Sequence, residues 1–121
     1  MILVDTSVWI DHLRAGNRRL KSMLYDDQVL THPFVVGELA CGKLQNRKEI
    51  LRLLDTLPET QLAEHQEVLR LVENQHLYGH GIGWVDAHLL ASALLSGATL
   101  WTFDRPLTKV AIALKPSPKT W

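Results

Sequence analysis

The sequence predicts an α/β fold in which a short parallel sheet is covered by helices on both faces. Three observations carry that expectation. Ile2-Leu3-Val4 and residues 98–103 are apolar runs without polar alternation, as strands buried on both faces require. Between them, apolar residues recur at helical spacing, so strands and helices alternate. Each run leads straight to an aspartate, Asp5 or Asp104, with a helix-like stretch behind it. In such a sheet the strand carboxyl ends open on one edge, where ligands bind.

The first strand is Ile2-Leu3-Val4. Residues 7–14 follow as a helix on Val8, Ile10 and Leu13, with Trp9 alongside, and Ala15-Gly16-Asn17 punctuates it. Residues 18–25 form a second helix on Leu20, Met23 and Leu24; Asp26-Asp27 is a turn, and 28–31 the second strand. Pro33 suits the first position of the next helix, 33–44. Residues 43–48 are basic and polar, a loop or helix start. Ile50, Leu53, Leu54 and Leu57 mark an amphipathic helix over 49–57, which Pro58 ends. A brief third strand is expected at 61–63, then an amphipathic helix over 64–77. Tyr78-Gly79-His80-Gly81-Ile82-Gly83 lacks the preceding strand and the spacing of a dinucleotide fingerprint, so it reads as a loop. Helix 84–96 is nearly all apolar or small and is therefore buried. Gly97 closes it, 98–103 is the last strand, and a final helix runs from Pro106 through 113. The tail, 115–121, carries two prolines and is expected to be extended or loosely held.

A chain of 121 residues makes one domain, 1–121, with a real core. Its 13 basic and 13 acidic side chains balance, so bulk charge names no partner. The single cysteine, Cys41, excludes an intrachain disulfide and a cysteine-cluster zinc site. There is no basic region before the first apolar run, and no run approaches the ~20 residues of a membrane span. A soluble, cytoplasmic domain without a membrane partner is expected.

Four acids stand out. Capping explains Asp5 and Asp104 taken singly. Glu38 is the one charge between Pro33 and Gly42 and shares a helical stripe with Phe34; it either enters a polar recess or lies on the exposed seam. Asp86 lies in the first turn of the apolar helix, where the helix dipole favours an acid anyway. His88 lies roughly two hundred degrees round the helix from Asp86 and reads as an ordinary histidine. Four acids at one sheet edge, two of them in otherwise uncharged helices, are hard to explain as separate accidents. Clustered carboxylates raise one another's pKa unless a cation joins them. Mg²⁺ suits such a place, because it takes one or two carboxylates and keeps several waters. That chemistry serves phosphodiester hydrolysis: the cation acidifies a water and offsets charge on the leaving oxygen. Thr6 and Ser7 are placed to hold the metal's water or a phosphate oxygen. Arg14, Arg18, Arg19, Lys43, Arg47, Lys48 and Arg105 are candidates for substrate phosphates, each otherwise an ordinary solvated charge.

With these residues the chain resembles the PIN-domain ribonucleases, specifically the VapC-type toxins of bacterial and archaeal toxin–antitoxin pairs. The marks are V-D-T-S-V-W-I at 4–10, V-G-E-L-A at 36–40, G-I-G-W-V-D-A-H-L-L-A-S-A at 81–93 and L-W-T-F-D-R-P-L at 100–107. The resemblance implies a three-layer α/β/α sandwich around a mainly parallel sheet. It implies that Asp5, Glu38, Asp86 and Asp104 bind Mg²⁺ or Mn²⁺, with Asp5 and Asp86 as first choices for direct ligands and Thr6 as the small hydroxyl residue beside the first aspartate. It further implies RNA cleavage by metal-activated water, a homodimer, and a cognate antitoxin that lays a peptide over the acidic site. Many relatives carry a further acid or an aromatic just beyond the last aspartate; Arg105-Pro106-Leu107 stands there, so a fifth acidic ligand is not implied.

Two rivals share the length and the acidic edge. A phosphoacceptor receiver domain needs adjacent acids after its first strand and a late strand-end lysine; here Thr6 follows Asp5, and Asp104 takes the lysine's place. A purely binding module would lose nothing when Asp5 becomes asparagine.

Overall fold

The computed structural model describes residues 1–114. In chain order the elements are β1 (Ile2–Val4), α1 (Thr6–Ala15), α2 (Arg18–Tyr25), β2 (Val29–Leu30), α3 (Pro33–Cys41), α4 (Arg47–Thr56), α5 (His65–Asn74), α6 (Trp84–Leu95), β3 (Thr99–Trp101) and α7 (Arg105–Leu114). The strands form one parallel sheet in the order β2-β1-β3. Ile2 and Leu3 pair with Val29 and Leu30 on one side. Ile2, Leu3 and Val4 pair with Thr99, Leu100 and Trp101 on the other. The first strand of the chain is thus the central one, which is why Leu3 and Val4 are wholly buried and need no polar alternation.

Helix α6 holds the helical layers together. Its residues from Ala87 to Ala93 are buried without a break, and three faces serve three clusters. Leu89 and Ala93 join the main core with Leu3, Val8, Trp9 and Leu39. Leu90 packs with Leu77, Leu107 and Val110, tying in α7. Ala87 and Ala91 pack on Val68 of α5. A helix used on every side is apolar on every side.

The expected third strand at 61–63 is not formed. Parallel pairing comes two residues earlier, as a lone bridge between Thr31 and Glu59. Thr31 N–H donates to Pro58 O and Thr60 N–H to Thr31 O, both at 2.9 Å. Gln61 N–H then turns to Ser96 Oγ at 2.8 Å, which draws the chain off the sheet edge towards the end of α6. Other differences lie at element ends. Helix α3 stops at Cys41, where the Arg47 guanidinium donates to Ala40 O at 2.8 Å and satisfies a terminal carbonyl. Helix α5 stops at Asn74 because His76 adopts a left-handed φ of 55°. Strand β3 spans only Thr99–Trp101. Thr102 onwards leaves the ladder for hydrogen bonds described below. The expected extended tail, 115–121, lies outside the described residues.

Leu3 sits at the centre of the central strand, so Leu3→Ala leaves a cavity that the sheet cannot collapse around. The expected cost is about 2–5 kcal/mol, seen as a lower urea midpoint at unchanged slope.

Candidate active site

Asp5 is built into the end of β1. Its N–H donates to Trp101 O at 2.9 Å, completing the ladder to β3. Its backbone is extended and begins α1, with Ser7 N–H 3.4 Å from Oδ2. The helix cap read from the sequence is therefore present, but hydroxyls make the stronger contacts. Ser7 Oγ donates to Asp5 Oδ2 at 2.7 Å and Thr102 Oγ1 to the same atom at 2.8 Å. Each hydroxyl is also an acceptor. Phe103 N–H donates to Ser7 Oγ and Asp104 N–H to Thr102 Oγ1, both at 3.0 Å. One carboxylate oxygen thereby organises the ends of two strands. Asp5 is buried, 7% exposed, and among the described residues its Oδ1 accepts no hydrogen bond.

The other three acids follow the same pattern. Asp104 Oδ2 caps α7 by accepting from Leu107 N–H at 3.0 Å. Asp86 Oδ2 reaches back to Gly83 N–H at 3.0 Å, which ties the glycine loop to the start of α6. Glu38 is exposed on α3 but lines a polar cleft, and its Oε1 accepts from Thr6 Oγ1 at 2.7 Å. That bond joins α3 to the residue after Asp5. Each acid spends one oxygen on a protein donor, and the other accepts nothing among the described residues. Thr6 and Ser7 commit their hydroxyl hydrogens to carboxylates, so their first task is to aim the acids.

Asp86 reports on its neighbours. Its pKa is raised, first by burial and then by the charges of Asp5 and Asp104, against the lowering effect of Gly83 N–H. The three aspartates thus share one electrostatic neighbourhood. Glu38 is joined to it through Thr6. Beside Asp86 runs a chain of rings: His32, Phe34, His88, Trp84 and His65, with successive centroids 4.8–5.1 Å apart. Burial, with a smaller effect of His88, pushes His32 down to about 4. Its Nδ1 accepts from Phe34 N–H at 2.9 Å and caps α3. Burial and His65 lower His88 as well. Both imidazoles are neutral at pH 7, and His88 serves packing, as its position on α6 suggested.

The donor set fits a hard divalent cation: carboxylate oxygens alone, several of them unspent, around an acid whose charge is resisted. Among the described residues no three His, Cys, Asp or Glu side chains converge into a ready-made cage. Mg²⁺ does not need one, because most of its positions go to water.

Comparison with known proteins bears on this arrangement. The PIN domain family model matches residues 2–113. This chain belongs to the PIN domain family. It is 53% identical over 108 residues to Ribonuclease VapC32 of Mycobacterium tuberculosis strain H37Rv, covering 88% of this chain and 87% of the relative. The same figures hold for Ribonuclease VapC32 of strain CDC 1551 / Oshkosh. The α/β fold expected from the sequence is the PIN fold, and no helix among the described residues is long and apolar enough to cross a membrane.

Within this PIN domain the cations are unevenly placed. Arg14 and Lys43 line a cleft of about 430 Å³ that includes Glu38. Arg47 is occupied with Ala40 O. The Arg19 guanidinium lies 5.0 Å over the Trp101 ring, while Arg18, Lys48 and Arg105 are exposed. Sequence reading missed Thr102, which is 8% exposed and completes the Asp5 contacts. Its signal was the hydroxyl two residues before Asp104, but its role follows from the Val4–Trp101 register.

Two outcomes are expected. Thr102→Val keeps the shape but strips a donor from Asp5 and an acceptor from Asp104 N–H; it costs about 1–3 kcal/mol, measured by denaturant unfolding. Ionised Asp86 disfavours the fold because its folded pKa is raised. That penalty is absent below the ordinary carboxylate value, builds as pH rises past it and is complete above the raised value. Asp86→Asn should therefore raise Tm in chelator at neutral pH. The gain should vanish below pH ~4, and thermal melts at both pH values check it.

Proposed function

We propose that this PIN domain is a divalent-metal-dependent endoribonuclease and the toxin of a toxin–antitoxin pair. The observation that carries the reading is the state of the four acids. Asp5, Glu38, Asp86 and Asp104 come from separate parts of the chain, each with one oxygen fixed and one unspent. The ribonuclease name of both relatives supports RNA as the substrate.

Mg²⁺ or Mn²⁺ at these oxygens, with Asp5 and Asp86 as direct ligands, would supply an acidified water and charge neutralisation at the scissile phosphate. The chain's own contribution is positional. Ser7 and Thr102 fix Asp5 so that Oδ1 is offered without a rotamer search. Thr6 does the same for Glu38. The resisted charge of Asp86 is relieved by any cation that joins it, so metal binding there competes with protonation. An antitoxin arginine laid against the same carboxylates would relieve the same repulsion. The reading includes a homodimer, which sedimentation of the purified chain decides.

The test uses purified full-length protein and single-stranded RNA. Cleavage should need Mg²⁺ or Mn²⁺, stop in chelator, and fall at least ~100-fold in Asp5→Asn and in Asp86→Asn. In an inducible host the wild type should slow growth and the variants should not. The reading fails if wild-type protein leaves RNA intact with both metals and growth is unaffected. Equal RNA binding by Asp5→Asn and wild type, with no cleavage by either, would mark a binding module instead. A small DNA-binding protein encoded next to this gene should bind the chain and suppress cleavage.

A further inference from the structure

Phe103 is a large apolar side chain, 50% exposed, set directly between Thr102 and Asp104. Its backbone is unusually constrained: its own N–H is held by Ser7 Oγ, and the next N–H by Thr102 Oγ1, both at 3.0 Å. The ring is therefore presented from a rigid point within the acidic edge. It meets Trp101 edge-to-face, with centroids 5.9 Å apart at 87°. Among the described residues Trp101 is its one aromatic partner, and an edge-to-face contact leaves at least one face of Phe103 without a described aromatic neighbour. Trp101 also carries the Arg19 guanidinium at 5.0 Å. An exposed ring and a stacked cation are thus joined through one tryptophan, beside the acids.

Trp84, an exposed aromatic two residues from Asp86, differs. It is already engaged by His65 and by His88.

We infer that Phe103 and Arg19 form a landing for one unpaired nucleotide of RNA, the ring stacking on the base and the guanidinium taking an adjacent phosphate. The inference rests on the ribonuclease reading for its substrate class. Two physical needs support it. An acidic edge repels a phosphodiester, so a substrate needs a cation close by, and Arg19 is pre-placed by its stacking. A base stacks on an aromatic side chain only when it has left its helix, so the landing selects single-stranded or splayed RNA. Such stacking tolerates any base, because every base has a π face.

The experiment measures binding apart from cleavage. Full-length wild-type chain, in chelator and again in Ca²⁺, is titrated with short single-stranded RNAs carrying a fluorescent adenine analogue at successive positions. One position should be quenched by stacking. Phe103→Leu should abolish that quench and weaken binding roughly 5- to 150-fold, and Phe103→Trp should retain both. Arg19→Gln should weaken binding and flatten its salt dependence, and the matching duplex should bind less well than the single strand. In cleavage assays Phe103→Leu should raise KM more than it lowers kcat. Unchanged affinity and quench in Phe103→Leu overturn the inference, as does a wild type that quenches at no position. So does a Phe103→Leu protein whose sedimentation changes while its RNA binding does not, since that ring would then serve self-association. Cleavage with an unaffected Phe103→Leu leaves the nuclease standing and removes the landing. Quenching without cleavage under Mg²⁺ or Mn²⁺ does the reverse.

Discussion

Two hydroxyls meeting on one carboxylate oxygen hold this protein's edge together. Asp5 Oδ2 takes Ser7 from its own helix and Thr102 from the far strand. Those hydroxyls in turn take the N–H groups of Phe103 and Asp104. The ladder between β1 and β3 ends at Asp5 N–H and Trp101 O, and side chains continue it past the last pair of strand residues. Buried polar groups are costly unless paired. Here two hydroxyls pair with one oxygen, and among the described residues the other oxygen accepts no hydrogen bond. Removing the Thr102 hydroxyl would reach Asp5, Asp104 and Ser7 at once.

Charge works against the fold at the same place. Burial and two neighbouring aspartates resist the ionisation of Asp86. A sequence selected for stability alone would not assemble these groups, because asparagine could still accept from Gly83 N–H without the repulsion of its neighbours. The cost is tolerable because it is local. Behind the acids, α6 supplies apolar residues to three clusters, so the charged edge rests on a helix buried without a break from Ala87 to Ala93.

Much of this was legible in the residues. Strands show as apolar runs, and β1 and β3 lie where such runs were seen; β1 is the buried central strand, whereas β3, expected to be buried on both faces, lies at the sheet edge and is only partly buried. The apolar helix was legible for the same reason. The four acids were legible because each interrupts an apolar stretch or ends one. What the sequence withheld depended on register and competition. Thr102 looks like any strand hydroxyl until Val4 pairs with Trp101. Residues 61–63 look like a strand until Ser96 Oγ captures Gln61 N–H. Helix α5 has apolar residues to continue to Leu77, but the left-handed His76 ends it. Periodicity cannot report a hydrogen bond to a residue thirty-five positions away.

The pairing of the first strand with the last has a consequence for the protein's birth. Asp5 and Thr102 are 97 residues apart in the chain. During synthesis β1 leaves the ribosome well before its partner β3. Until then β1 has an open flank, and Asp5 lacks the hydroxyl and the ladder carbonyl that place it. Contacts this distant form late. A chain not yet made as far as Thr102 therefore carries the first aspartate and the Ser7 hydroxyl, but neither the far-strand hydroxyl nor the ladder carbonyl that complete its placement.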